Sequence, residues 1–394
     1  MRRVFQSPLE VGFVQNPYPF YESVRGAGNL FYWEEFGWVT AVSYRTVNRF
    51  FRDRNWGREI PAESRPHPEP RLEPFERLDR HSMLELDQPR HTRLRGLVNR
   101  AFTSRQISSM EAEIRELSHV LIDRLPATAE LQKNFCESLP VMVIARLLGV
   151  QTAMCAQMLE WSHDMVAMYQ ARRDREIEDR AACAAAEFTE FMQGEIDARR
   201  QNPSDDLISS LIAARDNEQR LTNEEMISNC ILLMNAGHEA TANAMGNGVK
   251  TILESGLDPA EILSSDMREA TVEEILRYDP PLHIFERWAK SDQEMFGHEF
   301  HRGDMVALVL AAANRDPEIF DQPARFDPGR RQRTHTSFGA GIHFCVGAPL
   351  ARLELAVGLS ALFERCPKLA LAEPPTYADR YHFHGLEALW VILS

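Results

Sequence analysis

One cysteine, Cys345, closes the run Phe338-Gly339-Ala340-Gly341-Ile342-His343-Phe344-Cys345-Val346-Gly347, directly ahead of the apolar stretch 350–362. Three glycines allow a tight loop, because glycine tolerates the positive φ values that such a loop needs. A helix starting after the loop points its N-terminal amides and positive dipole end at the sulfur, and both favour a thiolate. The arrangement reads as a thiolate presented to a metal. A lone cysteine beside a glycine turn is more often a small buried hydrophobe. Here the histidine two positions earlier and the helix behind the sulfur decide for a ligand.

Two further groups carry possible chemistry. Thr222 and Glu225 form a capping box, opening an apolar-rich stretch that continues to Ser255-Gly256. The spacing predicts one very long helix, roughly 50 Å at ~1.5 Å per residue. Its middle holds Asn235-Ala236-Gly237-His238-Glu239-Ala240-Thr241. A glycine inside a helix costs about 1 kcal/mol relative to alanine, which calls for a reason: either close helix packing or a flat cofactor against Ala236 and Gly237. Glu274 and Arg277 stand three apart on a predicted helix, where they share a face and can pair.

Phe338, Gly339, Gly341, His343, Cys345, Gly347, Leu350, Ala351 and Arg352 fall on the haem-binding signature of the cytochrome P450 family at every spacing. The chain resembles that family over most of its length. The resemblance implies a mainly α fold with a small β portion, a triangular single domain spanning 1–394. Haem b (heme b, iron-protoporphyrin IX) would lie between the helix 223–254 and the cysteine loop, with Cys345 as the iron ligand. A thiolate ligand pushes electron density onto haem iron and favours O–O cleavage. The matched positions imply haem contacts from Ala236, Gly237, Phe338, Gly339 and Gly347, and propionate partners in His91, Arg95, Arg287 and His343. Arginine's planar fork suits a carboxylate especially well. Glu274 and Arg277 match the family's Glu-x-x-Arg motif, and Arg325 is taken as the arginine that joins them.

One landmark is altered. The family places an acid followed by an alcohol in its oxygen groove, and here Ala240 follows Glu239, with the hydroxyl one residue later at Thr241. A shift of one residue turns a side chain about 100° around a helix. Local distortion of the helix, ordered water or a substrate hydroxyl are the three ways of restoring a proton path. The pocket would be lined from 57–90, 165–172, 233–239, 282–285 and 383–386, with Leu233, Met234, Ile284, Phe285, Phe383 and Leu386 suggesting an oily substrate. The implied activity is monooxygenation: one atom of O2 enters a hydrophobic small molecule, with electrons from NAD(P)H through ferredoxin reductase and ferredoxin. A peroxide-using haem-thiolate enzyme and a non-catalytic haem sensor are the alternatives. Arg330, Arg331 and Arg333 precede the cysteine loop and offer a basic patch for an acidic ferredoxin.

The rest of the chain is consistent with these expectations. Its 394 residues with 44% hydrophobic composition can bury a large core. A formal charge of −14 argues against nucleic acid as a partner of the whole surface. Six cysteines without paired spacing argue against zinc fingers and disulfides and fit a reducing compartment. Residues 1–25 are broken by prolines and charges, so no membrane anchor is expected and a cytoplasmic monomer is. A hairpin is predicted over 29–42 and a helix over 44–52. Pro61, Pro66, Pro68, Pro70 and Pro74 predict a long loop over 57–74. Helices dominate 106–254, strands follow near 294–310, and a terminal strand is expected at 389–393.

Overall fold

The long helix forms as its cap predicts. The Thr222 hydroxyl accepts from the Glu225 N–H while Glu225 accepts from the Thr222 N–H, and the helix runs Asn223–Ser255 before Gly256 ends it at φ 71°. In the computed structural model all residues are described except Ala27, Pro66, Pro68, Arg172, 216–218 and Ser394, together with the side chain of Ser104. Two loop prolines of the 57–74 segment, Pro66 and Pro68, and the end of the 165–172 pocket segment, Arg172, therefore lie outside the described residues.

Most of the long helix is buried. It packs between helices Ser138–Leu148, Cys155–Val166, Arg175–Gln201, Arg268–Tyr278 and Ala348–Arg365, whose apolar faces merge into one extended core. A stripe of Ala181, Ala182, Ala184 and Ala185 on the helix Arg175–Gln201 is buried. Small residues there let helix axes approach within the usual 8–10 Å range.

The β portion is a six-stranded sheet in the order Arg2–Val4, Leu30–Trp33, Trp38–Ala41, Met305–Val309, Ile284–Ala289, Trp56–Gly57. Leu30–Trp33 and Trp38–Ala41 form the predicted hairpin, and helix Tyr44–Arg52 follows, capped by Ser43. Apolar clusters fill both faces: Phe50, Phe51 and Trp56 on one, Phe13, Tyr21 and Trp33 on the other. Strand residues alternate between faces, so consecutive residues of Ile284–Ala289 serve different clusters. The terminal strand Trp390–Ile392 pairs with Thr128–Glu130 and Ala370–Leu371. Among the described residues no helix is long and apolar enough to cross a membrane.

Candidate functional site

Two glycines shape the cysteine loop. Gly339 and Gly341 sit at φ 67° and 72°, and a Cβ on Gly341 would lie 2.3 Å from the carbonyl oxygen of Phe51. Both conformation and space therefore require glycine at 341. The loop closes on hydrogen bonds from the Gly339 N–H to the Thr336 carbonyl (2.7 Å) and from the Cys345 N–H to the Phe338 carbonyl (2.9 Å). Behind it, Arg352 donates to both Glu273 carboxylate oxygens at 2.5 and 3.0 Å, while its guanidinium covers the Phe338 ring at 4.5 Å.

Cys345 is exposed where Cys136, Cys155, Cys230 and Cys366 are buried, and Cys183 is the other exposed one. Burial by the surrounding protein pushes the Cys345 thiol above its ordinary value, against the amides of Gly347 and Ala348 and the charges of Arg95 and Arg352, which favour the thiolate. The helix end thus favours the thiolate, as the loop's sequence leads one to expect, and burial works against it. The amides are aimed at the sulfur, but desolvation of the anion outweighs them. A coordinating metal deprotonates a thiol outright, so the geometry is that of a ligand and not of a free nucleophile.

Cationic groups gather around the same loop. His343 shares a hydrogen bond with Asp87 at 3.2 Å, and its ring lies 4.2 Å from that of His91. Asp87 also accepts from the N–H groups of Arg58 and Glu59 and pairs with Lys290 at 3.2 Å. This acid was not singled out from sequence; its place four residues before His91, in the turn that leads into that helix, was the available signal. His91 is buried with Nδ1 unpartnered. Burial and the charges of His343 and Arg95 push it down to about 4. Arg287, 2% exposed, donates to the Glu286 carbonyl at 2.8 Å and lies between the rings of Phe51 and Phe285. Burial and the nearby Arg58 bring it down to about 9. Among the described residues Arg95 makes no ion pair, and burial lowers it too. A buried basin in which Arg287 and Arg95 make no ion pair among the described residues, with the imidazoles of His91 and His343 beside them, is suited to bound anions. It fits the two propionates of a haem whose iron Cys345 would hold.

On the long helix, Ala236 is exposed and Ala240 half-buried, whereas Glu239 and Thr241 are buried. Ala236 and Ala240, four residues apart, share one face of the helix, the more open one. The helix is uninterrupted through this stretch, so distortion does not bring Thr241 round. Gly237 is corrected as well: a Cβ there would meet Ile144 at an ordinary 3.8 Å. It points at a neighbouring helix, and close packing against that helix does not demand glycine. Glu239 accepts from the Asn243 amide at 3.3 Å and lies 3.5 Å from His163 Nε2 and 4.0 Å from His238 Nδ1.

The proximal brace differs from the sequence reading in one residue. Arg277 donates to both oxygens of Glu274 at 2.7 Å, and the second arginine on that carboxylate is Arg330, at 3.3 Å. Arg325 is exposed and contributes only its carbonyl, which accepts from Arg277 and Arg330 at 3.1 and 3.0 Å. The turn at Asp327, whose carboxylate accepts from the Gly329 N–H, directs Arg330 inward. Arg330 therefore leaves the proposed basic surface patch, in which Arg331 and Arg333 are exposed.

Of the expected pocket residues, Phe285 and Phe383 are half-buried, and Leu282 bridges to Phe383. Met234, fully buried, packs in the main core with Leu233 and Leu386. Ile284 belongs to the cluster on the opposite sheet face from Phe285. Met234 and Ile284 are core residues, because strand alternation and helix phase turn them into packed layers.

The cytochrome P450 family model matches residues 265–374, which contain the Glu274 brace and the Cys345 loop. The putative cytochrome P450 YjiB of Bacillus subtilis (strain 168) is 35% identical over 361 residues, 90% of this chain and 88% of that protein. The cytochrome P450 monooxygenase PikC of Streptomyces venezuelae is 36% identical over 392 residues, 96% and 91% of the two chains. Among solved structures, P450BioI in complex with a hexadec-9Z-enoic acid-ligated acyl carrier protein superposes with a TM-score of 0.92 at 31% identity, covering 97% of this chain and all of that one. Loop, cationic basin and relatives agree: the chain belongs to the cytochrome P450 family, is a haem b monooxygenase, and has that family's fold.

Proposed function

We propose that this enzyme hydroxylates or epoxidises a hydrophobic small molecule that itself carries a hydroxyl group. The observation that carries the reading is the groove face of the long helix, which presents Ala236 and Ala240 and no hydroxyl, while Thr241 is turned into the packing. When bound, haem supplies the O2 and electron chemistry that side chains lack. The chain's residues anchor that group through Cys345 and set its propionates against Arg287, Arg95, His91 and His343. Glu239 would pass protons towards the groove, Asn243 orients its carboxylate, and a water or the substrate's own hydroxyl stands where the missing alcohol would be. Glu137, pushed up to about 7 by burial and by the charge of Glu239, adds a carboxyl close to neutral pH on the same side. General acids of this kind are worth about 10²–10⁴ in rate.

Several relatives have names consistent with large hydrophobic substrates, among them a polyketide biosynthesis cytochrome P450 of Bacillus subtilis and a mycinamicin IV hydroxylase/epoxidase of Micromonospora griseorubida. Phe285 and Phe383 would meet the substrate. Electrons would come from NAD(P)H through ferredoxin reductase and a ferredoxin steered by Arg331 and Arg333. The test is product formed per NAD(P)H consumed, with released peroxide counted separately. Glu239→Gln should lose far more turnover than Thr241→Ala. Equal uncoupling by Thr241→Ala would make that hydroxyl the working one and overturn the assignment.

A further inference from the structure

Helix Cys155–Val166 crosses the long helix beside the catalytic groove, and three potential metal ligands meet at the crossing. His163 Nε2 lies 3.5 Å from a Glu239 carboxylate oxygen, His238 Nδ1 lies 4.0 Å from the same oxygen, and the ligand atoms of all three lie within 4.8 Å of one another. A tetrahedral zinc ion with bonds of 2.0–2.2 Å separates its ligands by about 3.4 Å, so two of the contacts are already near that spacing. His238 has no surface exposure, yet neither of its ring nitrogens has a hydrogen-bond partner. A fully buried imidazole is normally satisfied on at least one side. This one faces His163, with ring centroids 5.5 Å apart. His163 is 39% exposed and gives an ion its entry path and room for a water as fourth ligand.

We propose that His163, His238 and Glu239 form a second metal site, distinct from the haem iron, that takes a divalent transition ion of the zinc class. Two imidazoles and one carboxylate suit such ions, whereas magnesium and calcium require oxygen ligands throughout. The ion joins two helices that otherwise meet through apolar packing, Glu239 and the contact of the Asn235 amide with the Met165 sulfur. It also occupies the carboxylate that would relay protons, so, on the reading of Glu239 given above, zinc lowers coupling of electron use to product.

The holoenzyme is dialysed against zinc with excess magnesium, and metals are counted against haem iron by elemental analysis. Wild type should retain zinc at one equivalent per iron. His163→Ala, a change at a half-exposed position that leaves the fold intact, should weaken retention by about 100-fold or more, since loss of even an outer partner costs 10–100-fold. Anomalous diffraction at the zinc edge should place the ion between His163 and His238. No retained zinc in wild type, zinc retention unchanged in His163→Ala, or an anomalous peak elsewhere would each overturn the proposal. Zinc bound at this site with coupling unchanged would support the metal site and count against Glu239 as the proton source.

Discussion

Replacing Arg330 by methionine should destabilise the enzyme far more than the same change at Arg325. The Glu274 carboxylate is 4% exposed and faces two guanidinium groups, Arg277 at 2.7 Å and Arg330 at 3.3 Å. Arg330 also donates to the carbonyls of Asp321, Gln322 and Arg325, so its loss leaves three acceptors and part of a buried charge uncompensated. Removing one partner of a buried ion pair costs about 3–5 kcal/mol. Unfolding entropy of about 2.1 cal/mol/K per residue gives about 0.8 kcal/mol/K for a chain of this length, so the melting temperature should fall by about 4–6 °C. Arg325 is exposed and gives only its backbone to the cluster, so Arg325→Met should stay within about 0.5 kcal/mol of wild type. The assay is thermal unfolding followed in parallel by circular dichroism and by the haem Soret band. Equal melting temperatures for the two variants, or a larger loss at Arg325, would refute the assignment of Arg330 to the brace.

Cys345→Ala should abolish the red-shifted Soret band of the reduced CO complex while haem remains bound, and retention of that band would remove Cys345 as the iron ligand. Glu273 is raised by burial but drawn down to about 2 by the bonds from His335 and Arg352. Its folded value lies below the ordinary 4.5, so its contribution, about 3 kcal/mol, is fully present above that value and disappears as pH falls towards 2. The stability gap between wild type and Glu273→Gln, measured by urea unfolding, should therefore shrink steadily from pH 5 to pH 2. Gly341→Ala must place a side chain at φ 72° and 2.3 Å from the Phe51 carbonyl oxygen, costing about 2 kcal/mol or more, visible as reduced haem content after purification. Reversing the charges of Arg331 and Arg333 should slow reduction by ferredoxin and weaken its salt dependence without changing substrate binding; unchanged kinetics would remove them as a docking surface.

What was legible in the sequence was local. The capping box at Thr222, the glycine at 256 and the spacing of the cysteine loop each fix structure through neighbours a few residues away, and all appear where expected. Contacts between distant segments were not legible in the same way. Two arginines five residues apart, Arg325 and Arg330, both follow short turns, and only the chain's course through Asp327 and Gly329 selects the one that enters the core. Gly237 invites either close packing or a functional reason by composition, and only the phase of the helix relative to its neighbours, which put Ile144 at an ordinary distance, removes the first. Ile284 and Phe285 are equally apolar, and the sheet alone assigned them to different faces. At Cys345 the sign of the dipole effect was readable, while the larger desolvation of the sulfur depends on everything folded around it. The meeting of His163 with His238 depends on two helices crossing and left no mark in either segment.

The basin around His343 bears on how much of this enzyme a cell can hold. Arg287 and Arg95 are both depressed by burial, so a chain folded without its prosthetic group carries desolvated cations that a dianionic ligand compensates. Ligand present at 100 times its dissociation constant adds about 2.7 kcal/mol to the folded state, a large share of a typical domain's stability. Newly made chains that find no haem would thus unfold more often and meet proteases more often. Protein abundance would then track haem and iron supply without a dedicated regulator, and the same arginines that seat the propionates would act as the quality control of synthesis.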